Sequence, residues 1–176
     1  MTPFPPPIGK PVRAWRVDQA RFATTWDSAM GAQNSGGRWN PKGVKALYCS
    51  LDAATAILEV AVHKGFPALD KAPHVITALQ IVDPALVHVV KAGNVPNPAW
   101  LLTGVPSAGQ QEFGAELLAK HVFVAIPSVV SRHSWNLVFD PDRAAGKYAK
   151  VLQEPLSIDT RLNPPSAHQG SSPTLA

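Results

Sequence analysis

The chain has 176 residues, 45% hydrophobic and 16% charged, a composition that fits one ordinary globular domain and excludes a wholly disordered or fibrous protein. No apolar run reaches the roughly 18 to 20 residues of a bilayer span, and the N-terminus MTPFPPPIGKP lacks the charged-then-apolar order of a signal peptide, so a soluble, cytoplasmic protein is expected. The net charge of +4 is concentrated at one end: residues 1–50 carry seven Lys or Arg against Asp18 and Asp27, while the remainder has nine against ten acidic residues. A basic N-terminal third can attract any anion, from a phosphorylated metabolite to nucleic acid, although no block of consecutive basic residues occurs. The single cysteine, Cys49, excludes a disulfide framework and a multi-cysteine zinc site, and its apolar surroundings predict a buried, inert thiol.

Five prolines in the first eleven residues predict an extended, loosely attached segment over 1–10. VRAWRV (12–17) reads as a strand, SGGRWNPKG (35–43) as a glycine-rich loop and KALYCS (45–50) as a second strand. Residues 51–65 read as a helix with Ser50 as its N-cap and Gly65 beyond its end; the helix is apolar around most of its circumference and is expected to be largely buried. The β-branched runs 74–83 and 86–90 read as strands, 110–122 as a helix weakened by Gly114, and 123–131 and 135–140 as two further strands, with Pro127 marking a bend or an edge. Residues 151–159 suit a final edge strand, and 163–176, without a charged residue, a disordered tail. Strands outnumber helices and no linker divides residues 11–162, so the expected fold class is α+β in one domain.

Three places carry chemistry. Glu59 lies in the middle of the apolar helix, where an unpaired carboxylate is too costly to keep without a partner or a purpose; a structural ion pair or an escape to the surface beside Thr55 and His63 is the alternative. The 35–43 loop joins two glycines, which permit close backbone approach, to Arg38, whose planar fork suits a diphosphate, and to Trp39, which suits core packing. Tyr48, on the strand that follows, faces away from Leu47 and Cys49 by alternation. The serine-rich stretch 126–136 contains Ser128, His133 and Asn136 but no G-x-S-x-G elbow, so a serine hydrolase has little support. The histidines never pair at metal-ligand spacing, and neither a Walker motif nor G-x-G-x-x-G occurs, which argues against a metal site, a P-loop nucleotidase and a dinucleotide-binding Rossmann fold.

Taken in order, WRV (15–17), GGRWNPKG (36–43), LYCS (47–50), AILEV (56–60), IPSVV (126–130), WNLVFDP (135–141) and DTRL (159–162) resemble the RES domain, a family of bacterial toxin–antitoxin toxins named for its Arg, Glu and Ser. The resemblance spans nearly all of residues 11–162. It implies a compact mixed-sheet fold similar to ADP-ribosyltransferase toxins, with NAD+ as substrate rather than cofactor. The implied activity is growth arrest by cleavage of the nicotinamide–ribose bond, through hydrolysis or phosphorolysis; mono-ADP-ribosylation of a protein is the alternative. Residue by residue, the family arginine falls on Arg38, the strand tyrosine on Tyr48, the helix glutamate on Glu59 and the serine on Ser128. Arg16 matches a further arginine of the NAD+ cleft, and Asn136 an asparagine whose role is structural or catalytic. Where the family usually reads Asn-Pro-His, this chain reads Phe139-Asp140-Pro141-Asp142, which leaves that histidine's role unfilled. The resemblance also implies an Xre-type antitoxin partner, with DNA contacted only through it. A nucleic-acid-directed module using the basic third ranks below these readings, because RRM, KH and helix-turn-helix signatures are absent.

Overall fold

The computed structural model describes residues 5–6, 8, 11–96, 99–100, 104 and 106–159. The expected C-terminal tail over 163–176, residues 160–162 and most of the N-terminal extension lie outside the described residues. The fold is α+β. Among the described residues seven strands form one sheet in the order β4-β5-β6-β2-β1-β3-β7. They are β1 (Val12–Gln19), β2 (Leu47–Ser50), β3 (His74–Ile81), β4 (Val87–Val89), β5 (Phe123–Pro127), β6 (Trp135–Phe139) and β7 (Tyr148–Pro155). All neighbours are antiparallel except β4 and β5, whose parallel connection carries the helix α4 (Ala108–Lys120). The sheet is therefore mixed, as a chain with one crossover helix requires.

Alternation along the strands divides the apolar residues between the two faces. Leu47, Cys49, Phe123, Ala125, Leu137 and Phe139 build one core. Val124, Ile126 and Val138 point the other way and pack with Trp39, Trp100 and Leu118 of α4. Farther along, Val17 and Ile76 bury Ala56 and Ala61 of the helix α2 (Ala53–Lys64) and Leu69 of α3 (Phe66–Lys71). Tyr48 packs with the Trp39 cluster while its neighbours Leu47 and Cys49 belong to the other core, the facing expected from alternation.

Several elements differ from the sequence expectation. Ser50 does not cap α2: it is still in the β2 ladder opposite Asn136, and Asp52 is the N-cap, its carboxylate accepting from the Thr55 N–H at 2.7 Å. Nor is α2 largely buried; only Thr55, Ala56 and Ala61 are, while Leu58 and Val62 are exposed, because a single sheet face covers the helix and leaves its outer side open. The strand expected over 123–131 stops at Pro127, which supplies no N–H and sits beyond the β4 partner residues. The final strand begins three residues earlier than expected, at Tyr148, and is an edge strand. The short helices α1 (Met30–Ser35) and α3 were not anticipated. Gly114, expected to weaken its helix, is there because any Cβ would collide with the backbone of Trp39, on which α4 lies. Among the described residues no helix is long and apolar enough to cross a membrane.

Candidate active site

β1 and β2 share a single register pair, Trp15 with Ser50, and diverge beyond it. Where they part, a cleft of about 640 Å³ opens, lined by Arg16, Arg38, Tyr48, Glu59 and Asn136 among others. That volume lies within the roughly 300–1,000 Å³ typical of sites for small molecules and cofactors. Five of the six residues singled out in the sequence thus share one cavity, and the sixth, Ser128, stands directly behind Glu59.

Glu59 enters from α2 and its carboxylate is held asymmetrically. Its Oε1 accepts from Ser128 Oγ at 2.9 Å and from Asn136 Nδ2 at 2.6 Å. Among the described residues its Oε2 is paired with His63 Nε2 alone, at 3.9 Å, one helical turn along. The side chain keeps about 23% of its exposure, so the carboxylate is open to the cleft on one side and anchored on the other. Ser128 is fully buried and its hydroxyl has no capacity left for a ligand: it donates to Glu59 and accepts from the N–H groups of Val130 and Ser131, each at 3.1 Å. Those two bonds fold the chain back after β5 and aim the hydroxyl at the carboxylate.

Arg38 is presented by a loop whose backbone is tied at several points. The Tyr48 hydroxyl accepts from the Trp39 N–H at 3.0 Å and donates to Asn40 Oδ1 at 2.6 Å. Asn40 Nδ2 donates to Ala32 O and Val44 O, and Gln111 of α4 donates to Gly37 O at 2.8 Å. Gly37 has no alternative here, since a Cβ would come within 2.6 Å of the Tyr48 hydroxyl. Tyr48 therefore braces the loop with both faculties of its hydroxyl, and burial, partly offset by the Trp39 N–H and Arg38, holds the phenol far above its usual range. Trp39 is 2% exposed and packs against Trp100, the core role expected of it. By contrast the Arg38 guanidinium makes one long bond among the described residues, to Trp100 O at 3.4 Å, and leaves its other donors toward the cleft.

Arg16 is engaged differently. Asp18 takes its Nε at 2.8 Å and its Nη2 at 2.6 Å, and Nη1 donates to Tyr48 O at 2.9 Å. That last bond spans the gap where the β1–β2 ladder has stopped, a side chain standing in for a strand-to-strand hydrogen bond. Because Asp18 neutralises Arg16, the remaining formal charges on the cleft wall among the described residues are Arg38 and Lys64 against Glu59. The cavity is suited to an anion that also presents an electron-poor centre to a carboxylate. Cys49 lines it too, but burial pushes its thiol up to about 12, so it is no nucleophile at neutral pH.

The residue that sequence reasoning missed is Ser50, buried, whose Oγ donates to Asn136 Oδ1 at 2.9 Å. Its alternation with Tyr48 was the available signal: two residues on, the same face, hence the same cleft. Asn40 and Gln111, which tie down the Arg38 loop, carry no such mark in the sequence.

Comparisons with known proteins bear on this site. The RES domain matches residues 13–159. The chain is 29% identical over 147 residues to the "Prs ADP-ribosylating toxin" of Sphingobium sp. (strain YBL2), a match covering 78% of this chain and 87% of that protein. It is 42% identical over 50 residues to "Toxin Res" of Yersinia enterocolitica serotype O:8 / biotype 1B, covering 28% and 32% of the two chains. Among solved structures, a chain of the M. tuberculosis MbcT-MbcA toxin-antitoxin complex has a similar fold, with a TM-score of 0.61 at 19% identity over 84% of this chain and 85% of that one.

Proposed function

This chain belongs to the RES domain family, and from that premise we propose that it is the toxin of a bacterial toxin–antitoxin pair whose cleft binds NAD+ and breaks the nicotinamide–ribose bond. The carrying observation is Glu59: one carboxylate oxygen fixed by Ser128 and Asn136, the other open to the cleft that Arg38 also lines. In the reaction, the bond between the ribose anomeric carbon and the ring nitrogen breaks, and its electron pair neutralises the departing nicotinamide. The ribose passes through an oxocarbenium-like state, which the Glu59 carboxylate stabilises electrostatically. A nucleophile then bonds to the anomeric carbon and loses its proton to Glu59 or solvent. Arg38 neutralises the diphosphate, with Arg16 at the cleft wall; Tyr48 shapes the wall and holds the Arg38 loop; Ser128 and Asn136 orient Glu59.

Water or phosphate as nucleophile gives an NAD+ glycohydrolase or phosphorylase. A protein side chain as nucleophile gives mono-ADP-ribosyl transfer, a reading favoured by the similarity to the Sphingobium ADP-ribosylating toxin. Both use the same cleft. Incubating the purified chain with NAD+, with and without phosphate and with and without cell lysate, separates them: free ADP-ribose marks water, its phosphorylated counterpart marks phosphate, and a mass increment on a lysate protein marks transfer. Intact NAD+ in every arm overturns the proposal. An antitoxin partner of Xre type belongs to the same proposal; that a chain of a toxin–antitoxin complex has a similar fold supports an antitoxin partner, and the Xre type is implied by the family resemblance alone.

A further inference from the structure

Ser50 ends β2 and is 2% exposed, and its Cα partner across the sheet is Asn136 of β6. Its Oγ–H donates to Asn136 Oδ1 at 2.9 Å, and Asn136 Nδ2–H donates onward to Glu59 Oε1 at 2.6 Å. Every donor in this chain points toward the carboxylate. With the Asn136 amide turned over, its carbonyl oxygen would face the carboxylate, acceptor against acceptor. The carboxylate, which can only accept, decides which end of the amide faces it; Ser50 Oγ–H, donating into Oδ1, holds the amide in that place and polarises it so that its N–H is the stronger donor. Glu59 needs such a hold, because α2 is packed on one side only, with Leu58 and Val62 exposed around the helix from it.

We propose that Ser50 is a positioning residue for Glu59, acting through Asn136. Ser50 anchors and polarises the amide, the amide and Ser128 fix Oε1, and Oε2 is thereby left toward the cleft. The inference rests on the reading of Glu59 as the group that stabilises the reacting ribose.

The test is a double-mutant cycle on the full chain with NAD+ as substrate. Ser50→Ala lowers kcat about tenfold, the worth of one buried hydrogen bond, with KM unchanged, and Ser50→Thr, which keeps the hydroxyl, restores most of it. In an Asn136→Ala background, Ser50→Ala changes kcat by about twofold or less, because the residue it acts through is gone. A full loss in that background, or a loss expressed in KM alone, overturns the proposal. A second readout needs no turnover: by nuclear magnetic resonance, the Asn136 side-chain amide protons exchange with water faster in Ser50→Ala than in the parent chain. Unchanged exchange also overturns it. If the parent chain leaves NAD+ intact, the functional reading fails by itself and the exchange comparison still decides the role of Ser50.

Discussion

The two arginines of the cleft have opposite surroundings. Arg16 is consumed by the protein: Asp18 grips its guanidinium at two nitrogens and the Tyr48 carbonyl takes a third donor. Arg38 has a tightly braced backbone and a nearly idle guanidinium, with a single 3.4 Å bond to Trp100 O among the described residues. A side chain whose donors are already satisfied gains little from a ligand, whereas one held in place with donors to spare loses little entropy on binding. The contrast separates a residue that closes a gap in the sheet from one prepared for an anion, and Glu59 shows the same division within one carboxylate, Oε1 bound and Oε2 open.

The largest expected effect comes from removing the charge proposed to stabilise the reacting ribose. Glu59→Gln keeps a side chain able to meet Asn136 or Ser128, yet NAD+ turnover should fall by about 10²–10³-fold, the range found when one electrostatic stabiliser of a transition state is removed. The pair of arginines comes next and should split cleanly. Arg38→Ala is expected to lower kcat/KM about 10–100-fold with the melting temperature preserved, since in the proposed reading its free donors serve the ligand. Arg16→Ala leaves Asp18 and the Tyr48 carbonyl without their partner and should lower stability first, by about 1–3 kcal/mol. Equal melting temperatures and equal losses of activity in the two variants would erase the distinction.

A smaller effect is expected behind the loop. Tyr48→Phe strips two hydrogen bonds from the Trp39–Asn40 turn while leaving the ring in place. Destabilisation of about 1–3 kcal/mol and a modest rise in KM are expected, read by denaturant unfolding and steady-state kinetics, because the loop carrying Arg38 is then less fixed. A rate loss as large as that of Glu59→Gln would instead give the hydroxyl a direct part in the chemistry.

The smallest effect lies away from both arginines and serves as a control. His88 stacks on His121 at 3.8 Å, and burial first, then the neighbouring imidazole, hold it below its ordinary value of 6.5. The unfolded chain therefore binds this proton more readily, so its contribution to stability is complete above pH 6.5 and is lost as the pH falls below that value. The melting temperature should drop slightly on acidification through this window, and His88→Gln should flatten that slope without altering NAD+ turnover at neutral pH.

Much of the sheet was legible because each of the seven strands falls on a run that the sequence marks as extended, and α2 and α4 are long enough to show helical character. What escaped was set by context. Helix α1 has six residues, preceded by Ala29 in the left-handed region, and α3 is equally short, so neither builds a periodic pattern. The small residues of α2 read as buried all round, yet they mark only how closely the helix approaches the sheet; Val62 on its outer side is 59% exposed. In the cleft, residue types announced Arg38, Tyr48 and Glu59 singly, and family order joined them. Ser50 was hidden by its own ambiguity, since a serine before a helix is a good cap until the strand register assigns it to Asn136. The division of labour between Arg16 and Arg38 was also out of reach, because it depends on where β1 and β2 stop pairing.

The most direct measurement is nicotinamide release from NAD+ by the purified full chain, freed of any bound partner and followed over many turnovers in buffers with and without phosphate. Release in large excess over enzyme, with its product changing from ADP-ribose to the phosphorylated form when phosphate is added, is the result predicted for a phosphorolytic cleft; release unaffected by phosphate is predicted for a hydrolytic one. No nicotinamide beyond background in either buffer, with lysate protein also left unmodified, would contradict the assignment of this cleft to NAD+.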